Sequence, residues 1–160
     1  MDVLEALLTR RSIRKYTSKP VSKETVETLL RAAMAAPSAG NQQPWQFVVV
    51  TDRTVLDEHP VCKGAPCAIL VCGDANLEKY KGYWVIDCTL ATANILAAAH
   101  AMGLGSVFLG IYPHEESMNN LRKALGLGDN LIPLTLLPLG YPAEEKPASN
   151  RFDPARISWK

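Results

Sequence analysis

Gly82-Tyr-Trp-Val-Ile-Asp-Cys-Thr-Leu-Ala-Thr-Ala-Asn-Ile-Leu-Ala-Ala-Ala-His-Ala-Met102 is the stretch on which the fold turns. It predicts the longest helix of the chain, apolar nearly all round and ended by Gly103. A helix without a polar face must be buried on most sides. Its alanines (Ala91, Ala93, Ala97, Ala98, Ala99) permit close helix contact. In a chain of 160 residues the simplest cover for such a helix is a second copy of itself. Asp87, Asn94 and His100 make it too polar for an unassisted membrane span.

Working outward, the elements alternate irregularly. Asp2 caps a short helix with Val3, Leu4, Leu7 and Leu8 on one face. Ser22 caps a second helix carrying Val26, Leu29, Leu30, Ala33 and Met34, stopped by Pro37. Strands follow at Gln46–Thr51 and Ala68–Gly73. Beyond the long helix come a strand at Ser106–Ile111, a helix opened by Pro113, Glu115 and Glu116 and closed by Gly126, and a strand at Ile132–Leu139. The order α, α, β, β, α, β, α, β is not the βαβ alternation of a doubly wound nucleotide fold. It implies an α+β sandwich, a mixed central sheet flanked by helices, in one domain over 1–160. The tail 141–160 is polar but carries Phe152, Ile157 and Trp159. It has too little apolar surface to pack alone and is expected to dock on another surface, that of a partner subunit.

A net charge of +1 and a pI near 7.7 argue against nucleic acid or an acidic membrane as partner. The N-terminus does not resemble a secretory signal. Cys62, Cys67, Cys72 and Cys88 show neither disulfide nor zinc spacing. They read as small buried hydrophobes in a reducing, cytoplasmic setting. His59, His100 and His114 have ordinary readings as loop, helix end and helix start.

Two stretches suggest chemistry. In Thr9-Arg-Arg-Ser-Ile-Arg-Lys-Tyr16, Arg10, Arg11, Ser12 and Arg14 leave a helix end together. Arginine forks match phosphate oxygens and a serine hydroxyl adds a bond; a basic helix C-terminus complementing the dipole is the simpler alternative. In Pro37-Ser-Ala-Gly-Asn-Gln-Gln-Pro-Trp45, a serine, an asparagine and two glutamines sit between prolines. Such a loop can bond the edge of a heteroaromatic ring or serve only as a connection. Gly103-Leu-Gly-Ser-Val-Phe-Leu-Gly110 fails the dinucleotide fingerprint, since Phe108 replaces the third glycine and the segment runs from helix to strand. Gly110 can instead let a flat ring approach backbone N–H groups.

These motifs, with Leu-Gly-Tyr-Pro at 139–142 and Asn-Arg-Phe at 150–152, together resemble the FMN-dependent nitroreductase family over almost the whole chain. The resemblance implies an intertwined homodimer with FMN at the subunit interface. It implies that Arg10, Arg11 and Ser12 meet the phosphate and ribityl chain, with Arg151 adding a phosphate contact. Arg14 would lie at the N1 and O2 edge, where a cation stabilises reduced flavin. Pro37, Ser38, Ala39 and Asn41 would come from the other subunit. Leu109 and Gly110 would pass near flavin N5. NADH or NADPH would deliver hydride, and a small acceptor such as a nitroaromatic or quinone would then take its place, without a side-chain nucleophile or metal. Thr51–Gly64 is short for the family, and Lys63 is the candidate there for the pyrimidine edge. A flavin-storing or flavin-sensing protein, or another flavin chemistry on the same fold, are the alternatives.

Overall fold

The computed structural model describes residues 1–160. Its elements are α1 (Val3–Thr9), α2 (Lys23–Met34), β1 (Trp45–Val50), α3 (Arg53–Asp57), β2 (Cys67–Asp74), α4 (Trp84–Ala101), β3 (Gly105–Ser106), β4 (Leu109–Gly110), α5 (Glu115–Leu125) and β5 (Leu131–Gly140). Both predicted N-caps are present: Asp2 accepts the Glu5 N–H, and Ser22 the Thr25 N–H. Gly126 closes α5 in the left-handed conformation, φ +62°.

The strands lie in the order β1-β2-β5-β3, with β4 also on β5. Helices cover both faces, as the α+β class requires. Every pairing within the chain is antiparallel, so the sheet is antiparallel and not the mixed sheet expected from the sequence; the neighbours β1, β2 and β5 run in alternate directions. β2 is buried on both faces, which explains its unbroken apolar run. Cys67, Ile69 and Val71 face the core beneath α2 and α4, while Ala68, Leu70 and Cys72 face the core beneath α3 and α5. The expected strand over Ser106–Ile111 is an edge strand in two pieces. Its register on β5 is the same on both sides of the break, Ser106 facing Leu139 and Leu109 facing Leu136.

α4 lies on the first of these cores through Cys88, Ala91, Ile95 and Ala99. Its outer stripe remains open: Tyr83, Ile86, Leu90, Ala93 and Ala101 are exposed at helical spacing. On α1 likewise only Ala6 is buried, and Val3, Leu4, Leu7 and Leu8 face outward. Phe152 and Trp159 in the tail are 76% and 93% exposed.

Candidate functional site

The basic segment is tied to the sheet and then clasped by the tail. Ile13 donates its N–H to the Ser106 carbonyl at 3.0 Å. Gly105 makes that crossing possible, since a β-carbon there would stand 2.6 Å from Ile13 Cγ2. Tyr16 then bridges antiparallel to Pro142, and the Ala143 N–H reaches the Lys15 carbonyl at 2.9 Å. Glu144 Oε1 accepts the Arg14 N–H at 2.6 Å. Lys146 donates to the Ser12 carbonyl at 2.7 Å and pairs with Glu144 at 3.5 Å. The Arg11 guanidinium donates to the Pro147 carbonyl. Residues 142–147 thus run along 11–17 as a clasp, a feature not visible in the sequence.

A cavity of about 660 Å³ opens where the clasp, the end of α1 and the end of α4 meet, with Thr9, Arg11, His100, Glu144, Glu145 and Lys146 in its wall. Arg10 and Arg151 join this corner electrostatically. The Arg10 pKa is lowered by burial first, then by the charges of Arg151 and Arg11. None of the chain's four ion pairs includes Arg10, Arg11, Arg14 or Arg151. The structure therefore gathers Arg10, Arg11 and Arg151, 140 positions apart in the chain, into a cluster of like charge with no carboxylate paired to it. The Arg14 side chain is exposed. Lys63 is exposed too, and its neighbour Gly64 lies beside the Tyr16 carbonyl.

The amide loop is built at the other end of α4. Gly40, Asn41 and Gln43 all adopt positive φ (+51°, +53° and +49°), a concentration of unusual backbone that needs firm support. Asp87, 1% exposed in the first turn of α4, supplies it. Its carboxylate accepts the Ala39 N–H at 2.9 Å and the Gln42 amide at 2.6 Å. Gln42 Oε1 in turn accepts the N–H groups of Lys79 and Tyr80 at 2.8 and 2.9 Å. The Gln42 side chain is thus spent on architecture and is not free for a ring edge, as the composition of the loop suggested. Ser38 and Asn41 accept from Gln43, which leaves the Ser38 hydroxyl proton and the Asn41 amide protons free to donate.

Leu109 and Gly110 lie on β4, where the Thr135 hydroxyl donates to the Leu109 carbonyl at 2.8 Å. Above Gly110 the space is open; a β-carbon there would meet only the Phe108 ring, at 3.8 Å. No group of histidine, cysteine and carboxylate side chains able to hold a metal occurs.

Within one chain the two motifs do not converge. The arginine cluster adjoins the C-terminal end of α4 at His100, and the loop is pinned to its N-terminal end at Asp87. The thirteen helical steps from Asp87 to His100 span about 20 Å.

The family model described as Nitroreductase family matches residues 7–59 and 55–141. The chain belongs to the nitroreductase family. Among curated relatives, a provisionally named NADH dehydrogenase/NAD(P)H nitroreductase of Methanothermobacter thermautotrophicus is 48% identical, covering 98% of this chain and 86% of the relative. Among solved structures, a Parabacteroides distasonis protein with the same provisional name superposes with a TM-score of 0.93 at 39% identity, covering 98% and 96% of the two chains. A provisionally named Desulfovibrio desulfuricans nitroreductase, solved in complex with FMN, gives 0.87 at 33% identity over 100% and 97%. This nitroreductase thus shares its whole architecture with proteins of its own length.

Proposed function

We propose that this nitroreductase is an FMN-dependent NAD(P)H oxidoreductase working as a homodimer, with FMN held between the subunits. The carrying observation is the cluster of Arg10, Arg11 and Arg151, none of them in an ion pair, beside a cavity whose wall includes Arg11. Guanidinium groups brought together at an electrostatic cost fit a ligand carrying a phosphate dianion. The FMN complex of the Desulfovibrio relative and the FMN reductase [NAD(P)H] named in Bacillus subtilis support the same cofactor.

The separation of the two motifs supports a shared site. A two-fold pairing of α4 helices side by side and antiparallel would cover the open stripe Tyr83, Ile86, Leu90 and Ala93, and would bring the amide loop of one chain to the arginine corner of the other. In that arrangement Arg10, Arg11, Arg151 and Ser12 hold the phosphate end. Ser38 and Asn41 of the partner subunit's loop offer their free protons to the ring edge, beside Pro37 and Ala39. Arg14, with its backbone pinned by Glu144 and its guanidinium unpaired, meets negative charge at the pyrimidine edge. The open face above Gly110 admits a flat ring against the strand. FMN, when bound, supplies the redox chemistry, taking hydride from NADH or NADPH and passing electrons to a small acceptor such as a nitroaromatic or quinone.

The chain 1–160 acts as one domain on this reading, since both cores share one sheet and the tail 141–160 has no core of its own. Four unpaired cysteines suit a cytoplasmic, reducing compartment.

The deciding experiment is the visible spectrum of the protein mixed with FMN and desalted. Retained flavin at about one per chain, bleached by NADH or NADPH without oxygen, is expected. Retained but unbleached flavin would reduce the function to storage. Loss of all flavin, with no affinity on titration, would overturn the reading.

A further inference from the structure

His100 makes a contact that the helix-end reading does not explain. Its Nε2 lies 2.9 Å from Thr9 Oγ1. The Thr9 hydroxyl is already committed, donating to the Glu5 carbonyl at 2.6 Å. Thr9 Oγ1 therefore acts as acceptor, and His100 carries its proton on Nε2. That leaves Nδ1 as the atom whose protonation state is free to change. The ring lines the same cavity as Arg11 and lies within electrostatic reach of Arg10.

We propose that His100 is the proton-responsive member of the anion site, taking up one proton from solvent at Nδ1 when a phosphate monoester settles among Arg10, Arg11 and Arg151. The inference rests on the reading of that cluster as a phosphate site. Every element around the ring contributes to the balance. α1 and its end supply Glu5 and the cations Arg10 and Arg11; the clasp supplies Glu144, Glu145 and Lys146; and α4 carries no other charged residue between Asp87 and His100. Without ligand, burial first and the Arg10 charge second hold the His100 pKa below its ordinary 6.5, against the opposing pull of Glu5. A dianion placed among the arginines offsets most of their charge, weakens the field that disfavours the imidazolium and so raises the His100 pKa. A group whose pKa rises on binding adds affinity that is fully present below its free pKa. That affinity is lost as pH rises through the bound pKa.

The test is FMN affinity of the full-length, flavin-free protein by fluorescence titration between about pH 6.5 and 8.5, for wild type and His100→Gln. Glutamine places an N–H where Nε2 stood, so the Thr9 contact survives while the titration is removed. The FMN phosphate titrates identically against both proteins, so their difference isolates His100. Wild-type affinity is expected to fall relative to the variant by up to about tenfold per pH unit, the limit for one linked proton. Riboflavin, which lacks the phosphate, should show superposable profiles for the two proteins. A second measurement follows the His100 ring protons by NMR in wild type; the titration should move upward when FMN is added. Superposable FMN profiles, or an unmoved His100 titration, overturn the proposal while leaving the phosphate site standing. Absence of FMN binding to either protein overturns both.

Discussion

The Asp87 carboxylate accepts the Gln42 side-chain amide at 2.6 Å, with the two residues 1% and 6% exposed. Through this contact the first turn of α4 dictates the shape of a loop 45 positions upstream. Asp87→Ala strands the buried Gln42 amide and the half-buried Ala39 N–H, at an expected cost of about 3 kcal/mol. Thermal unfolding should show a Tm lower by roughly 10 °C. A Tm within ~2 °C of wild type would mean that the loop holds itself.

Gly105 and Ile13 form a second contact that admits little change. Gly105→Ala presses a methyl group onto Ile13 and should cost about 1–3 kcal/mol, with weaker FMN binding because the arginine segment leaves with Ile13. Trimming the obstacle should relieve it. In the double variant Gly105→Ala/Ile13→Ala the two losses should sum to less than additivity by at least about 1 kcal/mol, measured by urea unfolding. Strict additivity would place the strain elsewhere.

The arginine cluster should separate binding from folding. Arg10→Ala and Arg151→Ala are each expected to weaken FMN by about 10- to 100-fold, the loss of one charge-assisted contact. The flavin-free variants should unfold no more easily than wild type, because each removes repulsion and breaks no ion pair. The FMN affinity of wild type should fall with added salt more steeply than that of either variant. Equal losses of stability and affinity would return these residues to a structural role.

The clasp should loosen in acid. Hydrogen bonding from the Arg14 N–H, with Lys146 assisting, holds the Glu144 carboxyl below its ordinary 4.5. A carboxyl with a depressed folded-state pKa contributes support present above the ordinary value and lost as pH falls through the folded one. Amide exchange at Arg14 and Ala143 should therefore lose its protection, relative to strand amides, below the ordinary glutamate range. Glu144→Ala should show that loss already at neutral pH. Protection unchanged in the variant would show that the backbone pairing of Ala143 with Lys15 suffices.

The large features of this fold are written in its apolar spacing. α4 could be placed because eighteen residues without a polar face admit few alternatives, and β2 because an unbroken apolar run suits a strand covered twice. Asp2 and Ser22 marked helix starts because capping is local chemistry. α3 was not visible, having only Val55 and Leu56 to bury and the Asp52 cap as its signal. Asp87 was legible only as an oddity, a carboxylate in an apolar helix; its partners lie in another segment. The gathering of Arg10, Arg11 and Arg151 could be inferred by resemblance alone, because no periodicity links residues 140 positions apart. The commitment of Gln42 to Asp87, Lys79 and Tyr80 could not be told from a binding role, since a side-chain amide serves either.

The placement of the arginine corner and the amide loop at opposite ends of α4 gives the proposed dimer a genetic signature. One variant with a damaged arginine segment and another with a damaged loop would each be inactive alone. Mixed in one cell, they would form heterodimers in which one of the two sites collects both lesions and the other collects none. Such pairs should complement, recovering close to half the wild-type activity per heterodimer, whereas two variants damaged at the same end should not. A lone subunit would have no intact site at all, so strong dilution should silence the protein without unfolding it.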